Sequence, residues 1–190
     1  MNATQQKTSK GTIEVICGSM FSGKTEELLR RIHRCVLAHL RVELFKPDTD
    51  QRYKPDAVVS HMGRELPCQS VSSSSALTLL ASAADVVAID EAQFFDLELV
   101  SVCQNLANAG KRVIIAGLDM DSNAQPFGPI PQLMAVADQV SKVQAICANC
   151  GDLAYVSYRI SKSDSLVYLG EKKEYKPLCR SCYFSISDAQ

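Results

Sequence analysis

Eight consecutive residues near the start of the chain have the types and spacing of a loop that holds phosphate. They are Gly18, Ser19, Met20, Phe21, Ser22, Gly23, Lys24 and Thr25, and they fit G-x-x-x-x-G-K-[ST] at every fixed position. Backbone N–H groups in such a loop point inward at a phosphate, and the dipole of the following helix adds to that field. Lys24 would reach the β and γ phosphates, and Thr25 would offer its hydroxyl to Mg²⁺. The alternative is a strand-to-helix turn that happens to contain two glycines.

Two adjacent carboxylates, Asp90 and Glu91, form the second chemical group. They end the apolar run 86–89, which is typical of a strand buried on both faces. A phosphate-loop enzyme keeps the acid that holds Mg²⁺ at this place. Because successive side chains point in different directions, Asp90 can face the metal while Glu91 takes a proton. The alternative is a helix N-terminus enriched in acids.

Four cysteines form the third group. Cys147 and Cys150 make one C-x-x-C pair and Cys179 and Cys182 make another, and each pair is expected to follow a short strand, over 143–146 and 175–178. Two such knuckles place four thiolates around Zn²⁺. The gap of 28 residues between the knuckles is longer than the usual zinc-ribbon spacing, so an extended hairpin is expected to fill it. With all four positions used as ligands the metal would be structural; disulfides or redox pairs are the alternatives.

Apolar patterns predict the elements that must position these groups. Strands are expected over 13–17, 41–46, 85–89 and 111–119, and helices over 26–40 and 97–107. Parallel strands joined through helices imply right-handed crossovers and a layered α/β core. The serines at 72–75 are expected to cap a short helix, and residues 120–131 are predicted to be a loop. We predict an α/β nucleotide-binding domain over 11–142 and a small zinc-binding lobe over 143–186.

Two further segments supply candidate site residues. The polar loop 47–54 follows a predicted strand, and ligands bind at this edge of open α/β sheets. Asp50 and Arg52 are therefore candidates, with a solvated loop as the alternative. Phe127 lies among glycine and proline residues, where its ring could stack on a base or pack under the loop.

Composition narrows the class of function. At 190 residues the chain can hold one α/β domain plus a small lobe. A net charge of −1 argues against a long footprint on nucleic acid, because such domains are usually strongly basic. We expect no membrane span and no signal peptide, hence a cytoplasmic protein. In that reducing compartment the other cysteines, namely Cys17, Cys35, Cys68 and Cys103, are expected to be small buried hydrophobes.

Taken together, the motifs resemble those of type II thymidine kinases from Gly11 to about Phe184. The segments that carry the resemblance are 18–25, 89–95, 117–119, 125–128, the four paired cysteines and 179–184. The resemblance implies a P-loop (RecA-like), mostly parallel sheet flanked by helices, and a zinc-binding lobe that carries a lasso loop. It also implies transfer of the γ-phosphoryl of ATP to the 5′-hydroxyl of thymidine or deoxyuridine, in DNA precursor salvage.

The resemblance further implies a role for individual residues. Glu91 would accept the 5′-hydroxyl proton, Arg52 would lie close to the transferring phosphate, and Asp90 with Thr25 would hold Mg²⁺. The nucleotide would be held by residues 18–25 together with Asp90, Glu91, Ala92 and Gln93. The thymidine site would be built from Met20, Phe94, Leu118, Phe127, Ser157, Tyr175 and the lasso residues Leu166, Val167, Tyr168, Leu169 and Gly170. Ser157 and Met20 would approach the thymine 5-methyl group. By resemblance the protein would be a homotetramer inhibited by dTTP.

One position departs from the family pattern. Ser122 stands where many relatives carry phenylalanine, which predicts a looser base pocket. This departure leaves open a kinase with a broader set of deoxynucleoside acceptors. A second alternative is a nucleic-acid-binding ATPase with a zinc ribbon, although outside residues 30–34 and 172–173 the chain has no basic stripe with interleaved aromatic residues.

Overall fold

The core of the molecule is a six-stranded sheet. A computed structural model describes residues 10–50, 57–59, 65–160 and 174–187. The described residues form these strands, of which six belong to the main sheet: β1 Thr12–Cys17, β2 Val42–Pro47, β3 Ala57–Val59, β4 Glu65–Pro67, β5 Gln69–Val71, β6 Val86–Ile89, β7 Arg112–Gly117, β8 Gln139–Lys142, β9 Ala145–Ile146, β10 Leu153–Ala154, β11 Val156–Arg159 and β12 Tyr175–Leu178. The helices are α1 Lys24–Leu37, α2 Ala76–Leu80, α3 Leu99–Asn108, α4 Ile130–Val136 and α5 Arg180–Ser187, with a 3-10 turn at Ala92–Phe94.

The strand order of the main sheet is β5-β2-β6-β7-β1-β8, and every pairing in it is parallel. The predicted α/β architecture with a mostly parallel sheet is therefore confirmed. β1 lies between β7 and β8, and Cys17 at its end is in register with Gly117 and Lys142. The carboxyl ends of β1, β6 and β7 consequently meet at one edge, where an open α/β sheet places its ligands.

Two hydrophobic layers cover the sheet. On one face, Leu28 and Ile32 of α1 pack against Ile16 of β1 and Ile114 of β7. On the other face, α3 and α4 pack against a cluster that includes Val15 of β1. Burial of each such side chain stabilises the fold by about 1.5–3 kcal/mol. Of the four cysteines predicted to be buried, Cys17, Cys35 and Cys103 are buried, whereas Cys68 is only partly buried.

A buried ion network ties α1 to the sheet. Glu14 of β1 accepts hydrogen bonds from Arg31 Nη1 at 2.7 Å and from Arg112 Nε at 2.6 Å. Arg31 also donates to Glu27 at 2.8 Å. Burial alone would raise the pKa of Glu14, but hydrogen bonds and charge from Arg112 and Arg31 outweigh it and hold the pKa below its ordinary value. The carboxylate is therefore a fixed negative charge beneath the phosphate-loop helix.

Several elements differ from the predictions. β5, β8, α4 and α5 were not predicted, and α4 begins inside the segment expected to be a loop. α1 begins and ends a few residues earlier than predicted. It ends where His39 adopts a positive φ of 57° and the N–H groups of His39 and Leu40 return to the Val36 and Cys35 carbonyls. The serines do not cap α2 through their side chains: Ser75 makes no capping bond. Ser74 instead donates to the Asp96 carboxylate, which precedes α3.

The C-terminal part of the described chain is a small lobe of short antiparallel pairs. β9 pairs with β10, β11 pairs with β12, and α5 follows. β11 and β12 form an antiparallel pair in the gap between the two cysteine knuckles, in line with the predicted hairpin; residues 161–173, which connect the two strands, lie outside the described residues. Its core contains Ala145, Ala154, Val156, Leu178 and two of the paired cysteines.

Among the described residues, none of the helices has the length and apolar character needed to span a bilayer.

Candidate active site

The phosphate loop connects β1 to α1 and is stabilised by hydrogen bonds between its own residues. Lys24 Nζ donates to the Ser19 carbonyl at 2.7 Å, and Ser22 Oγ donates to the same oxygen at 2.7 Å. Gly18 has a φ of +142°, and a Cβ there would lie 2.0 Å from the carbonyl oxygen of Val143. Glycine is therefore required at position 18 by both conformation and space. The loop holds the shape of an anion cradle at the N-terminus of a 14-residue helix.

Asp90 lies directly after β6 and faces the start of α1. Thr25 Oγ1 donates to Asp90 Oδ2 at 3.2 Å, and the Glu91 N–H donates to Asp90 Oδ1 at 2.9 Å. Burial and the neighbouring Glu91 charge raise the pKa of Asp90 to about 7. A hydroxyl and a buried carboxylate side by side are oxygen ligands of the kind that Mg²⁺ prefers, and a bound cation would favour the charged carboxylate. These two residues fit the predicted magnesium site.

Glu91 has an unusual backbone conformation. Its φ and ψ are 51° and 37°, in the left-handed region, which costs a non-glycine residue of order 1–3 kcal/mol. The 3-10 turn that follows supports this conformation, because the Phe94 N–H donates to the Glu91 carbonyl at 3.2 Å. The half-buried Glu91 side chain accepts a hydrogen bond from Gln93 Nε2 at 2.6 Å.

Gln93 is buried, with 2% of its surface exposed. Besides donating to Glu91, it accepts a hydrogen bond from the Leu118 N–H at 2.9 Å. Two glycines make room for it: a Cβ at Gly117 would lie 2.9 Å from Gln93 Oε1, and a Cβ at Gly128 would lie 2.2 Å from the Gln93 carbonyl oxygen. Gln93 therefore links the end of β7 to the Glu91 carboxylate through a fixed side chain.

Phe94 and Phe127 pack against one another at the same edge. Their ring centroids are 5.7 Å apart and the rings are perpendicular, the edge-to-face geometry that aromatic pairs favour. The loop carrying Phe127 is held by Asp121, whose Oδ1 accepts the N–H groups of Asn123 and Gln125 at 2.9 Å each. The structure thus brings together the two aromatic residues predicted to wall a base pocket.

The four paired cysteines form one cluster in the C-terminal lobe. Their sulfur atoms all lie within 4.8 Å of one another, and Cys150 Sγ is 3.6 Å from Cys179 Sγ. Tetrahedral zinc–thiolate coordination requires sulfur separations of about 3.8 Å, so the cluster fits a zinc site. Burial opposes ionisation of Cys147, but N–H groups of Cys179 and Cys150 lower its pKa to about 6. The Cys179 thiol raises the pKa of Cys182 to about 12, because neighbouring thiols cannot all ionise without a cation between them.

Of the remaining predicted site residues, some are described by the structure and others lie outside the described ranges. Tyr175 lies in β12, and its hydroxyl accepts a hydrogen bond from Arg159 Nε at 3.2 Å. Ser157 lies in β11, and its hydroxyl accepts a hydrogen bond from the Met20 N–H at 2.8 Å. Leu118 lies directly after β7, and Ala92 is buried in the 3-10 turn. Arg52 and the lasso residues 166–170 lie outside the described residues.

The sequence motifs include Asp119 but assign no role to it, although it is a buried carboxylate that follows β7. Asp119 is 6% exposed, and neither of its side-chain oxygens accepts a hydrogen bond of good geometry from the described residues. Lys142 Nζ lies 2.6 Å from Asp119 Oδ2 and supplies the counter-charge. The pair depends on β8, a strand with mixed polar composition that no periodic signal marks, so only the three-dimensional fold reveals it.

Fold and site together define a phosphate-loop nucleotide-binding enzyme with a tetracysteine lobe. The family model for thymidine kinase matches residues 11–183, and the chain belongs to the thymidine kinase family.

Curated relatives are similar over most of their length. A thymidine kinase of Bacteroides thetaiotaomicron is 59% identical over 179 residues, which cover 94% of this chain and 90% of the relative. A thymidine kinase of Porphyromonas gingivalis is 58% identical, with 92% and 85% covered. A thymidine kinase of Rhodothermus sp. is 55% identical, with 92% and 82% covered. A solved DNA replication initiation factor has a TM-score of 0.44 at 14% identity over 72% of this chain and 41% of its own, which is too weak a likeness to support any conclusion.

Proposed function

We propose that this chain transfers the γ-phosphoryl group of ATP to the 5′-hydroxyl of thymidine, giving dTMP and ADP. One observation carries the proposal: in a chain of the thymidine kinase family, the phosphate loop, Asp90 and Glu91 meet at one edge of the sheet. Lys24 and Thr25 open α1 there, and the Thr25 hydroxyl lies 3.2 Å from the Asp90 carboxylate. Phosphoryl transfer requires these groups, namely a phosphate cradle, metal ligands and a base for the acceptor hydroxyl.

The roles of the residues follow from their positions. The N–H groups of the phosphate loop and Lys24 would bind the β and γ phosphates and orient them. Thr25 and Asp90 would hold Mg²⁺, which supplies positive charge to the phosphate oxygens when bound. Glu91 would take the proton of the 5′-hydroxyl as that oxygen bonds to the γ-phosphorus. The bond from phosphorus to the bridging oxygen breaks, and ADP leaves with the electron pair.

The acceptor site would lie between the aromatic pair and the C-terminal lobe. Phe94 and Phe127 offer an apolar wall beside Glu91, and a neutral nucleoside needs no basic cleft, in line with the net charge of −1. Met20, Leu118, Ser157, Tyr175 and the lasso residues 166–170 would complete the thymidine site, and Arg52 would approach the transferring phosphate. These last assignments rest on the resemblance of the sequence motifs.

The remaining parts of the proposal concern organisation and regulation. We propose that residues 11–142 bind the nucleotide and that residues 143–186 form the zinc-binding lobe. The enzyme would work in the cytoplasm, where all eight cysteines would stay reduced; the structure contains them as free thiols. By family resemblance it would be a homotetramer inhibited by dTTP, which gel filtration with light scattering and a dTTP titration of the activity would test.

A substrate panel tests the central proposal. Thymidine, deoxyuridine, deoxycytidine, deoxyadenosine and deoxyguanosine would each be incubated with ATP and Mg²⁺, and ADP formation and nucleoside monophosphate would be measured. We expect thymidine and deoxyuridine to be phosphorylated. Phosphorylation of the whole panel would indicate the broader acceptor range that Ser122 leaves open. If no nucleoside is phosphorylated, the proposal is wrong.

A further inference from the structure

A serine hydroxyl of the zinc-binding lobe accepts a hydrogen bond from the phosphate loop. The Met20 N–H donates to Ser157 Oγ at 2.8 Å, a contact between residues 137 positions apart in sequence. Ser157 is 3% exposed, and it lies in β11, which pairs with β12 directly before the second cysteine knuckle. The bond therefore joins the nucleotide-binding loop to the strand pair that leads directly into Cys179, one of the predicted zinc ligands.

The direction of this bond is informative. In a phosphate loop the N–H groups nearest the following helix bind the anion. Met20 is only the third residue of the loop, and its N–H is turned outward to Ser157. An N–H group without a partner here would cost free energy and would allow the peptide to rotate. The hydroxyl of Ser157 fixes the orientation of the Met20 peptide and, with it, the path of the chain that leads to Lys24.

Two apolar or steric contacts support the same side of the loop. Phe21, which follows Met20, has a positive φ of 63° and packs against the apolar cluster of the C-terminal lobe. Gly18 lies against the carbonyl of Val143, whose N–H donates to the Cys17 carbonyl at 2.8 Å. The loop is therefore held from outside by residues of the segment 143–187, while its inner side is left to the phosphates.

We propose that Ser157 is a positioning residue for the nucleotide site and acts through the Met20 peptide. Its hydroxyl holds the phosphate loop in the conformation that binds nucleotide, so that the free protein is already in the binding-competent state. This role differs from the approach to the thymine 5-methyl group that the family resemblance implies for Ser157. The inference rests on the proposed function only in taking the loop to bind a nucleotide.

The test is direct nucleotide binding in the absence of any nucleoside. The affinity for MgADP would be measured by calorimetry for the wild type and for Ser157→Ala, with Ser185→Ala as a control. Ser185 is exposed on α5 and bonds only within its helix among the described contacts. We expect Ser157→Ala to weaken MgADP binding about three- to tenfold, the effect of losing one hydrogen bond, and Ser185→Ala to leave it unchanged.

A matched pair of variants separates the effect of losing the Ser157 hydroxyl on MgADP affinity from the effect of altered packing. Ser157→Thr retains the hydroxyl, and Ser157→Val has the same shape without it. We expect the threonine variant to bind MgADP like the wild type and the valine variant to bind it about three- to tenfold more weakly. Zinc content and melting temperature of both would be measured. Equal MgADP affinities in the threonine and valine variants would overturn the proposal, even if the alanine variant fails to fold.

Steady-state kinetics distinguish a positioning role of Ser157 from a contact with the thymine 5-methyl group. They also separate a failure of this inference from a failure of the proposed kinase function. A positioning role raises the KM for ATP by the same factor with thymidine and with deoxyuridine, which differ only in the 5-methyl group. A selective loss for thymidine with unchanged MgADP affinity would assign Ser157 to the methyl contact and overturn the positioning role. If the wild type phosphorylates no nucleoside but the MgADP pattern is as expected, the proposed function fails and this inference stands.

Discussion

The side chain of Gln93 holds the side chain of Glu91: Gln93 Nε2 donates to Glu91 Oε2 at 2.6 Å. The same amide is fixed at its other end, because its oxygen accepts the Leu118 N–H at 2.9 Å. The Glu91 backbone is left-handed, so its carboxylate direction is set by both the main chain and Gln93. A candidate general base held in this way needs little reorganisation when the acceptor hydroxyl arrives.

Replacing Glu91 by glutamine removes the proposed base and keeps the shape of the side chain. We expect kcat for thymidine to fall about 10²- to 10⁴-fold, the usual contribution of general base catalysis. MgADP affinity should fall far less than kcat, because only the proton transfer requires an ionised carboxylate at this position. Steady-state kinetics and calorimetry measure both quantities. Glu98→Gln, at an exposed position before α3, is the control, and activity of Glu91→Gln within a few fold of that control would contradict the assignment.

Gln93→Glu keeps the oxygen that accepts the Leu118 N–H but removes the donor to Glu91. We expect kcat to fall about tenfold or more, because a charge-assisted hydrogen bond of about 1.5–3 kcal/mol is replaced by repulsion. The KM for ATP should change much less. The matched control is Gln104→Glu, an exposed position on α3. A change in KM alone, with kcat retained, would show that Gln93 serves substrate binding and not the orientation of Glu91.

The cysteine cluster should hold about one zinc ion per chain, measurable by metal analysis of the purified protein. Cys150→Ser removes one of the four ligands and should lower both the zinc content and the melting temperature, the latter by about 10 °C. Cys68→Ser, at a partly buried position outside the cluster, should keep the zinc. Equal zinc content in the two variants would contradict the site.

Glu14→Gln tests the buried network under the phosphate-loop helix. Leaving Arg31 and Arg112 without this partner should destabilise the fold by about 3 kcal/mol at neutral pH, which urea unfolding would measure. The pKa of Glu14 is held below its ordinary value, so its contribution is complete above pH of about 4.5 and is lost as pH falls through the lower folded pKa. The difference between the variant and the wild type should therefore shrink in acid.

A surface pair supplies the control for that experiment. Asp85 accepts hydrogen bonds from exposed Arg41, and solvent screens such a pair. Asp85→Asn should shift the urea midpoint far less than Glu14→Gln. Equal shifts, or a Glu14→Gln effect that persists unchanged at low pH, would show that the Glu14 charge is not what stabilises the network.

Ser122→Phe tests the looser pocket predicted from the family pattern. Ser122 is half-buried in the loop that Asp121 organises, close in sequence to Phe127. An added aromatic ring should tighten thymidine binding about three- to tenfold, the magnitude of one aromatic contact. Calorimetry with thymidine measures the change, with Ser122→Ala as control. No gain in affinity over the wild type would contradict the prediction.

Local motifs made most of the fold and site predictable. The phosphate loop and the two cysteine pairs each span only a few residues, and their chemistry follows from residue type and spacing. The buried strands β6 and β7 are built on uninterrupted apolar runs, so their placement was also correct. β5 and β8 could not be predicted in the same way, because they are short and polar and are strands only by virtue of the partners they pair with.

Contacts between distant segments lay beyond the sequence analysis for a different reason. The Ser157–Met20 bond joins residues 137 positions apart, and no periodic pattern reports which hydroxyl meets which N–H. Gln93 was predicted only to help hold the nucleotide, whereas its bond to Leu118 depends on how β6 and β7 align. The roles of Arg52 and of residues 166–170 stay predictions, since these residues lie outside the described part of the chain.

The close approach of Gly18 to the Val143 carbonyl has a consequence for protein engineering. The eight-residue motif cannot be transferred to another protein by itself, because its conformation depends on contact with a peptide group more than a hundred positions downstream. A chimaera that transplants residues 18–25 into another sheet would need to import that peptide and the strand before it. Without them, the grafted loop would have the correct sequence but would not be held in the phosphate-binding conformation.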